Sequence, residues 1–298
     1  ISRGNKMPSS KSKITKRKIS NVKARRDVKR KRALKMQDFW YRSSLSVDSV
    51  EALKALLSKT ELSSKKKNDL IELYEELSVL QVDYVKVRNN GDLGSINRIY
   101  DFSNALMQVY LHRVTNLFEG AVQSLCTKNV YLMALSIRGL FESTAALGFL
   151  FSRIDSFKNN NISSIDLDNA LMTLILGTKD KQLLLQKGSD SYEAKNVMKL
   201  LDYADKVFSS KVMDNKLPDK NMLRVSYEWL CEFCHPNFHS GALAFQLDKE
   251  NGVMKFNHRK SSLTDRELVI IEHLFIPTFA FLSMHEKTKK LVSTLEAN

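Results

Sequence analysis

Apolar residues recur along most of this chain at the three- and four-residue spacing of amphipathic helices, and the pattern predicts a mainly all-α fold, a multi-helix bundle. Residues 46–58 and 63–88 are predicted to form a helical hairpin. In its second helix, apolar residues alternate at spacings of four and three, as in a coiled-coil seam: Leu73, Leu77, Leu80, Tyr84 and Val87. Such a seam needs a partner helix, either the preceding helix or a helix of a second copy in a homodimer.

Two long helices are predicted after this hairpin. The helix at about residues 95–125 carries a broad apolar face, made of Ile99, Phe102, Leu106, Val109, Tyr110, Leu117 and Val122. The helix at residues 130–154 is apolar nearly all round, so we expect it to be the central helix of the fold.

The rest of the chain is predicted to be helical except for one small β-hairpin near residues 242–257. Glycine, proline and polar loops separate its helices, which are predicted at residues 166–176, 193–208, 222–235 and 264–292, with a flexible stretch at 178–193. Thr264 and Glu267 form a capping box that starts the last helix. Pro277 is expected to kink it.

Positive charge is concentrated at the start of the chain. Residues 1–42 contain sixteen of the 47 lysines and arginines and only two acidic residues, which leaves 31 residues of each sign in the rest. The net charge of +14 therefore belongs to one segment. The composition divides the chain into a basic arm at 1–42, a helical hairpin at 43–92 and a helical core domain at 93–298.

The basic arm has too few apolar residues before Leu34 to order itself, so we expect it to be disordered alone and to become helical against a polyanion. Basic side chains release counterions when they neutralise phosphates, which favours binding to RNA or DNA. A solvated tail, a nuclear-import signal and an acidic protein partner are the alternatives. The predicted phosphate contacts are Lys16, Arg17, Lys18, Lys23, Arg25, Arg26, Lys29, Arg30, Lys31, Arg32 and Lys35.

The composition favours a cytoplasmic protein without a membrane span. No apolar stretch follows the basic N-terminus as in a secretory signal, and three cysteines are an odd, sparse number. The apolar runs at 131–151 and 269–283 contain charged residues at mid-span, so we expect buried helices of a soluble core. The chain lacks a phosphate-binding glycine loop and the GxSxG and HExxH motifs, and we expect no cofactor and no metal ion.

The densest group of reactive side chains is the sequence CEFCHPNFHSG at residues 231–241. Its CxxCH start matches the c-type haem pattern, but that attachment accompanies export. Zinc would have suitable ligands in Cys231, Cys234, His235 and His239, yet the usual second cysteine pair is missing. A redox pair is disfavoured because the helix C-terminus destabilises thiolates. The preferred interpretation is a buried helix end with two core cysteines.

A second candidate group lies within the central helix, in the sequence SIRGLFESTAAL. Arg138 and Glu142 are four residues apart, so they share one side of an otherwise apolar helix and we expect both charges to be desolvated. One interpretation is a structural ion pair. The other is that they face His235, Asn237 and His239 across a cleft, as a site for phosphate binding or acid–base chemistry.

The stretches ALSIRGLFESTAAL and YEWLCEFCHPNFHSG resemble an uncharacterised group of bacterial all-helical proteins that carry RxxxE and His-Pro-Asn segments. That group is distantly similar to the HEPN superfamily, whose active members are ribonucleases or toxins of defence systems with an R-x(4–6)-H dyad. The resemblance covers residues 95–290, and its matching positions are Arg138, Glu142, Tyr227, His235, Pro236 and Asn237. Here the R-x(4–6)-H spacing occurs only at Arg266 and His273, and chance alone would produce about one such match.

Three functions follow from these patterns. The first is a helical protein that binds nucleic acid through the basic arm, within a prokaryotic defence or toxin module. The second is a metal-independent ribonuclease that uses a cluster of Arg138, Glu142, Tyr227, His235, Asn237 and His239. The third is an interaction module that recruits a partner helix through the seam at residues 73–87.

Overall fold

The structure is a computed structural model that describes residues 47–88, 92–187, 193–216, 220–256 and 262–295. The basic arm and all its predicted phosphate contacts lie outside the described residues. Contacts divide the chain into two units, and every helix and strand below belongs to the larger one, Leu45–Gln81 with Val85–Asn298.

The described residues are mostly helical, with a single antiparallel pair of strands among them, which confirms the mainly all-α fold. In chain order the elements are α1 Val47–Ser58, α2 Ser64–Leu80, α3 Ile96–Cys126, α4 Val130–Lys158, α5 Ser164–Leu176, α6 Lys181–Lys187, α7 Val197–Val207, a π-helical turn Phe208–Val212, α8 Met222–Cys234, α9 Phe238–Gly241, β1 Phe245–Asp248, β2 Val253–Phe256, α10 Asp265–Glu272 and α11 Phe275–Ser293.

Helix α4 is the central helix of this unit, as its composition predicted. It packs against α3, α7, α8 and α11, and side chains such as Ile137 and Phe141 are fully buried. The approach is closest at Gly148, where a Cβ atom would lie 2.5 Å from the Cα of Ala204 in α7. Glycine at this position therefore lets the two helix backbones pack at a distance that any side chain would increase.

Helix α2 is shorter than predicted. Tyr84 and Val87 of the predicted seam lie beyond its end, so that part of the prediction is wrong. The helix ends at Leu80, and its buried stripe is Leu70, Tyr74 and Leu77. Gln108 of α3 donates to the Leu80 carbonyl at 3.2 Å, so a side chain of another helix satisfies the helix end. The stripe packs on α1 and α3, which supplies partners from within the chain.

The predicted long helix is confirmed as α3, with Ser95 as its N-cap. Most of the predicted face is buried or half-buried, but Val109 is exposed. Two buried carboxylates fix the start of this helix. Asp168 accepts from the backbone of Gly94 at 2.7 Å and from Arg98 at 2.8 Å, and Asp101 pairs with Arg88 at 2.9 Å.

The stretch at 178–193 was predicted to be flexible, but part of it forms helix α6. Helix α7 begins at Val197 instead of Glu193, because Asn196 caps it and Glu193 forms a β-bridge with Thr178. At its other end, α7 continues into a π-helical turn where the prediction ended it at Phe208.

The small β-hairpin is confirmed, with Phe245 opposite Phe256 and Leu247 opposite Met254. The Thr264–Glu267 capping box is also confirmed. The helix that follows is broken where the sequence predicted a kink: α10 ends at Glu272 and α11 begins at Phe275. Pro277 explains the position of the break, since its ring clashes with the carbonyl four residues earlier and it offers no N–H.

Two helical stretches, Val130–Lys158 and Glu267–Ser293, have the length and composition of membrane spans. Within their most apolar windows, 78% and 56% of the residues are buried inside the protein. Buried core helices of soluble proteins have the same length and composition, so these properties alone are weak evidence for a membrane span.

Candidate functional site

Helix α4 places Arg138 and Glu142 one turn apart, as the sequence predicted. The Arg138 Nε and Glu142 Oε1 atoms are 3.5 Å apart, and the two side chains are 24% and 33% exposed. Both are therefore half-buried, and the expectation of full desolvation is wrong. An ion pair that keeps this much contact with solvent remains accessible to a ligand.

Tyr227 of α8 joins the two charged residues. Its hydroxyl accepts a hydrogen bond from Arg138 Nε at 3.0 Å and donates one to Glu142 Oε1 at 3.2 Å. The Arg138 guanidinium also lies over the tyrosine ring, 5.3 Å from its centroid. Burial raises the pKa of Tyr227 to about 12, so its hydroxyl stays protonated at neutral pH and remains a donor to Glu142.

Arg113 of α3 completes the cluster, and sequence reasoning missed it. Its Nη2 lies 3.7 Å from Glu142 Oε2, and its Nε donates to the hydroxyl of Ser143 at 3.0 Å. Arg113 follows the buried Tyr110 by three residues, so it sits at the border of the apolar face of α3. That position is the only signal in the sequence that points to it.

We refer to Arg113, Arg138, Glu142 and Tyr227 as the Arg138 cluster. It combines two guanidinium groups with one carboxylate, so it carries an excess of one positive charge. Guanidinium groups in such an arrangement bind oxyanions through directed hydrogen bonds, and a neutral phenol beside them can donate a hydrogen bond. The cluster is thus chemically suited to an anionic ligand.

Cys231 and Cys234 lie on α8 beside this cluster and are both half-buried. Burial raises the pKa of each thiol, and the positive charge of Arg138 opposes that shift. The cysteines are therefore thiols at neutral pH, which makes them weak nucleophiles and weak metal ligands. Among the described residues, no three His, Cys, Asp or Glu side chains are grouped as a metal ion would require.

The His-Pro-Asn segment has its own local contacts at the end of α8. His235 is the C-cap and is exposed. Asn237 caps α9 by accepting from the Ser240 amide at 3.1 Å, and it donates to Glu232 at 2.9 Å. The ring of His239 lies 6.3 Å from that of Phe233. Hydrogen bonds thus bring together Arg138, Glu142 and Tyr227, whereas those of Asn237 go to Glu232 and Ser240.

The Arg266 and His273 positions lie on α10 and at its C-cap. The imidazole of His273 stacks on Trp229 with 4.2 Å between ring centroids, and its Nδ1 is 3.0 Å from the Val269 carbonyl. These contacts hold the His273 ring against α8.

Comparison of the chain with protein-family models, with curated proteins and with solved structures finds no match in any of the three.

Proposed function

We propose that this protein binds nucleic acid through its basic N-terminal segment, residues 1–42, in a prokaryotic defence or toxin module. The observation that carries the proposal is the segregation of charge. The whole excess of +14 lies in this segment, while the remaining residues have equal numbers of basic and acidic side chains. A general requirement for solubility would not confine the charge to one-seventh of the chain.

The setting in a defence module rests on the resemblance to bacterial HEPN-like helical proteins. Binding through such a segment is electrostatic and independent of base sequence, because each neutralised phosphate releases condensed counterions. Affinity should therefore fall steeply with salt. In a plot of the logarithm of the binding constant against the logarithm of the salt concentration, each phosphate contact should add about 0.9 to the downward slope on duplex DNA and about 0.7 on single strands.

The test compares two full-length variants that lose four positive charges each. The first changes Lys29, Arg30, Lys31 and Arg32 to glutamine. The matched control changes four exposed lysines of the helical unit: Lys59, Lys65, Lys179 and Lys199.

Binding of labelled RNA and DNA is measured at two or more salt concentrations. The first variant should reduce the salt slope by up to about 3 to 4, and the control should reduce it much less. Equal slopes for both variants would show that the N-terminal segment does not make the contacts.

A second candidate function is a metal-independent ribonuclease at the Arg138 cluster. The observation that favours it is the hydrogen-bonded arrangement of Arg138, Glu142 and Tyr227, which could stabilise a phosphorane-like charge while His235 or His239 acts as base. The binding samples are incubated long enough to detect cleavage of labelled RNA. Cleavage that is unchanged in Arg138→Gln, and in alanine variants of both histidines, would exclude this mechanism.

A further inference from the structure

A half-open cleft of about 190 Å³ adjoins the Arg138 cluster. Helices α3, α4, α5 and α7 line it together with residues 194–195, and its charged lining residues are Arg113, Glu142 and Lys195. We call it the Lys195 cleft. Its volume is below the 300 Å³ or so of a typical cofactor pocket, so it suits a small group rather than a whole cofactor.

The carboxylate in this cleft already has partners. Glu142 accepts from Tyr227 and lies 3.5 Å from Arg138, a cation outside the cleft lining. Its other oxygen lies 3.7 Å from Arg113, so the two arginines share this carboxylate, and the lining of Arg113, Lys195 and Glu142 keeps a net charge of +1. Arg113 keeps 54% of its side chain exposed although it contacts Ser143 and Glu142.

Lys195 contacts an aromatic ring at the cleft. Its Nζ lies 5.2 Å from the ring centroid of Phe149, and none of the ion pairs among the described residues includes it. A cation–π contact positions an ammonium group without neutralising it. Within the described residues, the charge of Lys195 is therefore available to a ligand.

The backbone around Lys195 is positioned by a glycine at the end of α5. A Cβ at Gly177 would lie 2.2 Å from the Thr173 carbonyl and 3.3 Å from the Cα of Ala194. The Ala194 amide donates to the Thr178 carbonyl at 3.0 Å, which fixes residues 194–195 beside this helix end. Lys195 thus lies at the cleft on a segment of backbone that a hydrogen bond to the end of α5 positions.

The C-terminal end of α5 also lines the cleft, and its dipole opposes an anion with about half a negative charge. The net charge of +1 from Arg113, Lys195 and Glu142 outweighs it. Ser143 and Thr173 line the cleft as well, but their hydroxyls donate to the carbonyls of Gly139 and Asn169 at 2.9 and 2.8 Å, so the binding of an anion depends on the two cations.

We propose that the Lys195 cleft binds a phosphomonoester group, with Arg113 and Lys195 as its cationic contacts. A tetrahedral anion of this size can contact both cations, and the half-open shape leaves the rest of the ligand in solvent. The lining residues of this site all belong to the helical unit. The phosphomonoester is either that of a small metabolite or the terminal phosphate of a nucleic-acid strand.

The test uses the full chain and its variants Lys195→Gln and Arg113→Gln. Lys199→Gln is the matched control, because Lys199 is exposed four residues away and does not line the cleft. Inorganic phosphate and methyl phosphate are titrated calorimetrically at constant ionic strength. A 5′-phosphorylated oligonucleotide is compared with its 5′-hydroxyl form. Thermal unfolding confirms that each variant is folded, and the exposed Lys195 makes its variant informative even if Arg113→Gln is unstable.

Loss of one charge-assisted contact should weaken phosphate binding about tenfold in each cleft variant and leave Lys199→Gln unchanged. Lys195-dependent binding of methyl phosphate, without a preference for the phosphorylated strand, would identify a small metabolite as the source. A Lys195-dependent preference for the 5′-phosphorylated strand alone would identify a strand end. Absence of both effects, or an equal effect in Lys199→Gln, would overturn the proposal without affecting the test of the N-terminal segment.

Discussion

A buried histidine in α11 makes the stability of the fold depend on pH. His285 is 1% exposed, and neither ring nitrogen has a hydrogen-bond partner among the described residues. Burial lowers its pKa to about 3, and the positive charge of Lys289 adds to the shift. The imidazole is therefore neutral in the folded protein, although it is a base with an ordinary pKa of about 6.5 in the unfolded chain.

The sign and size of the effect follow from these two values. Above the unfolded pKa both states are neutral, and His285 adds no dependence on pH. As pH falls below about 6.5, His285 binds a proton in the unfolded chain but stays neutral in the folded protein. The free energy of unfolding therefore decreases by about 1.4 kcal/mol per pH unit until about pH 3. Between pH 7 and pH 5 this one residue should cost about 2 kcal/mol of stability.

The variant His285→Leu removes the titration and the two unsatisfied nitrogens together. Urea unfolding of both proteins at pH 7 and at pH 5 gives the change in unfolding free energy. The variant should be more stable at pH 7 by about 1 kcal/mol, because buried polar atoms without partners are costly. Its advantage should grow by about 2 kcal/mol at pH 5.

His112→Gln is the matched control, since His112 is exposed on α3. It should leave the pH dependence of unfolding within about 0.5 kcal/mol of the parent protein. If the parent and His285→Leu lose the same stability between the two pH values, His285 is not the neutral buried group described above.

Two further substitutions test the packing of the central helices. Gly148→Ala should destabilise the fold by about 1 to 2 kcal/mol, because its Cβ would lie 2.5 Å from the backbone of Ala204 and the repacking cost exceeds the gain in helix propensity. Gly241→Ala, with open space around it, is the control, and equal thermal midpoints would contradict the close approach. Asp168→Asn should cost about 3 kcal/mol in urea unfolding because it leaves Arg98 without its buried partner, and a loss below about 1 kcal/mol would show the ion pair to be unimportant.

Local signals in the sequence were sufficient for most of the fold. Helices α3 and α4 follow from apolar spacing, and the start of α10 follows from the Thr264–Glu267 capping box, which acts within a few residues. The end of α2 could not be predicted in this way. It depends on Gln108, a residue 28 positions later that bonds to the Leu80 carbonyl.

The candidate site shows the same division between local and tertiary signals. The Arg138–Glu142 pair is a contact one helical turn long, so spacing alone predicts it. Tyr227 and Arg113 reach Glu142 from α8 and α3, and only the packing of three helices decides that they do. The role of Asn237 as the cap of the short helix α9 is local, but the sequence analysis treated this residue only as part of the candidate cluster.

The Arg138 cluster also explains why an ion pair lies in the apolar middle of the central helix. A pair this exposed contributes little to stability, because its two side chains keep much of their hydration. Replacing both residues with well-packed apolar side chains would not reduce the stability of the fold. Arg113 adds a second guanidinium to one carboxylate that Arg138 already balances, and an unbalanced cation weakens a structural cluster but strengthens the binding of an anion. Charge imbalance at a cleft edge is therefore better explained by an anionic ligand than by a role in folding.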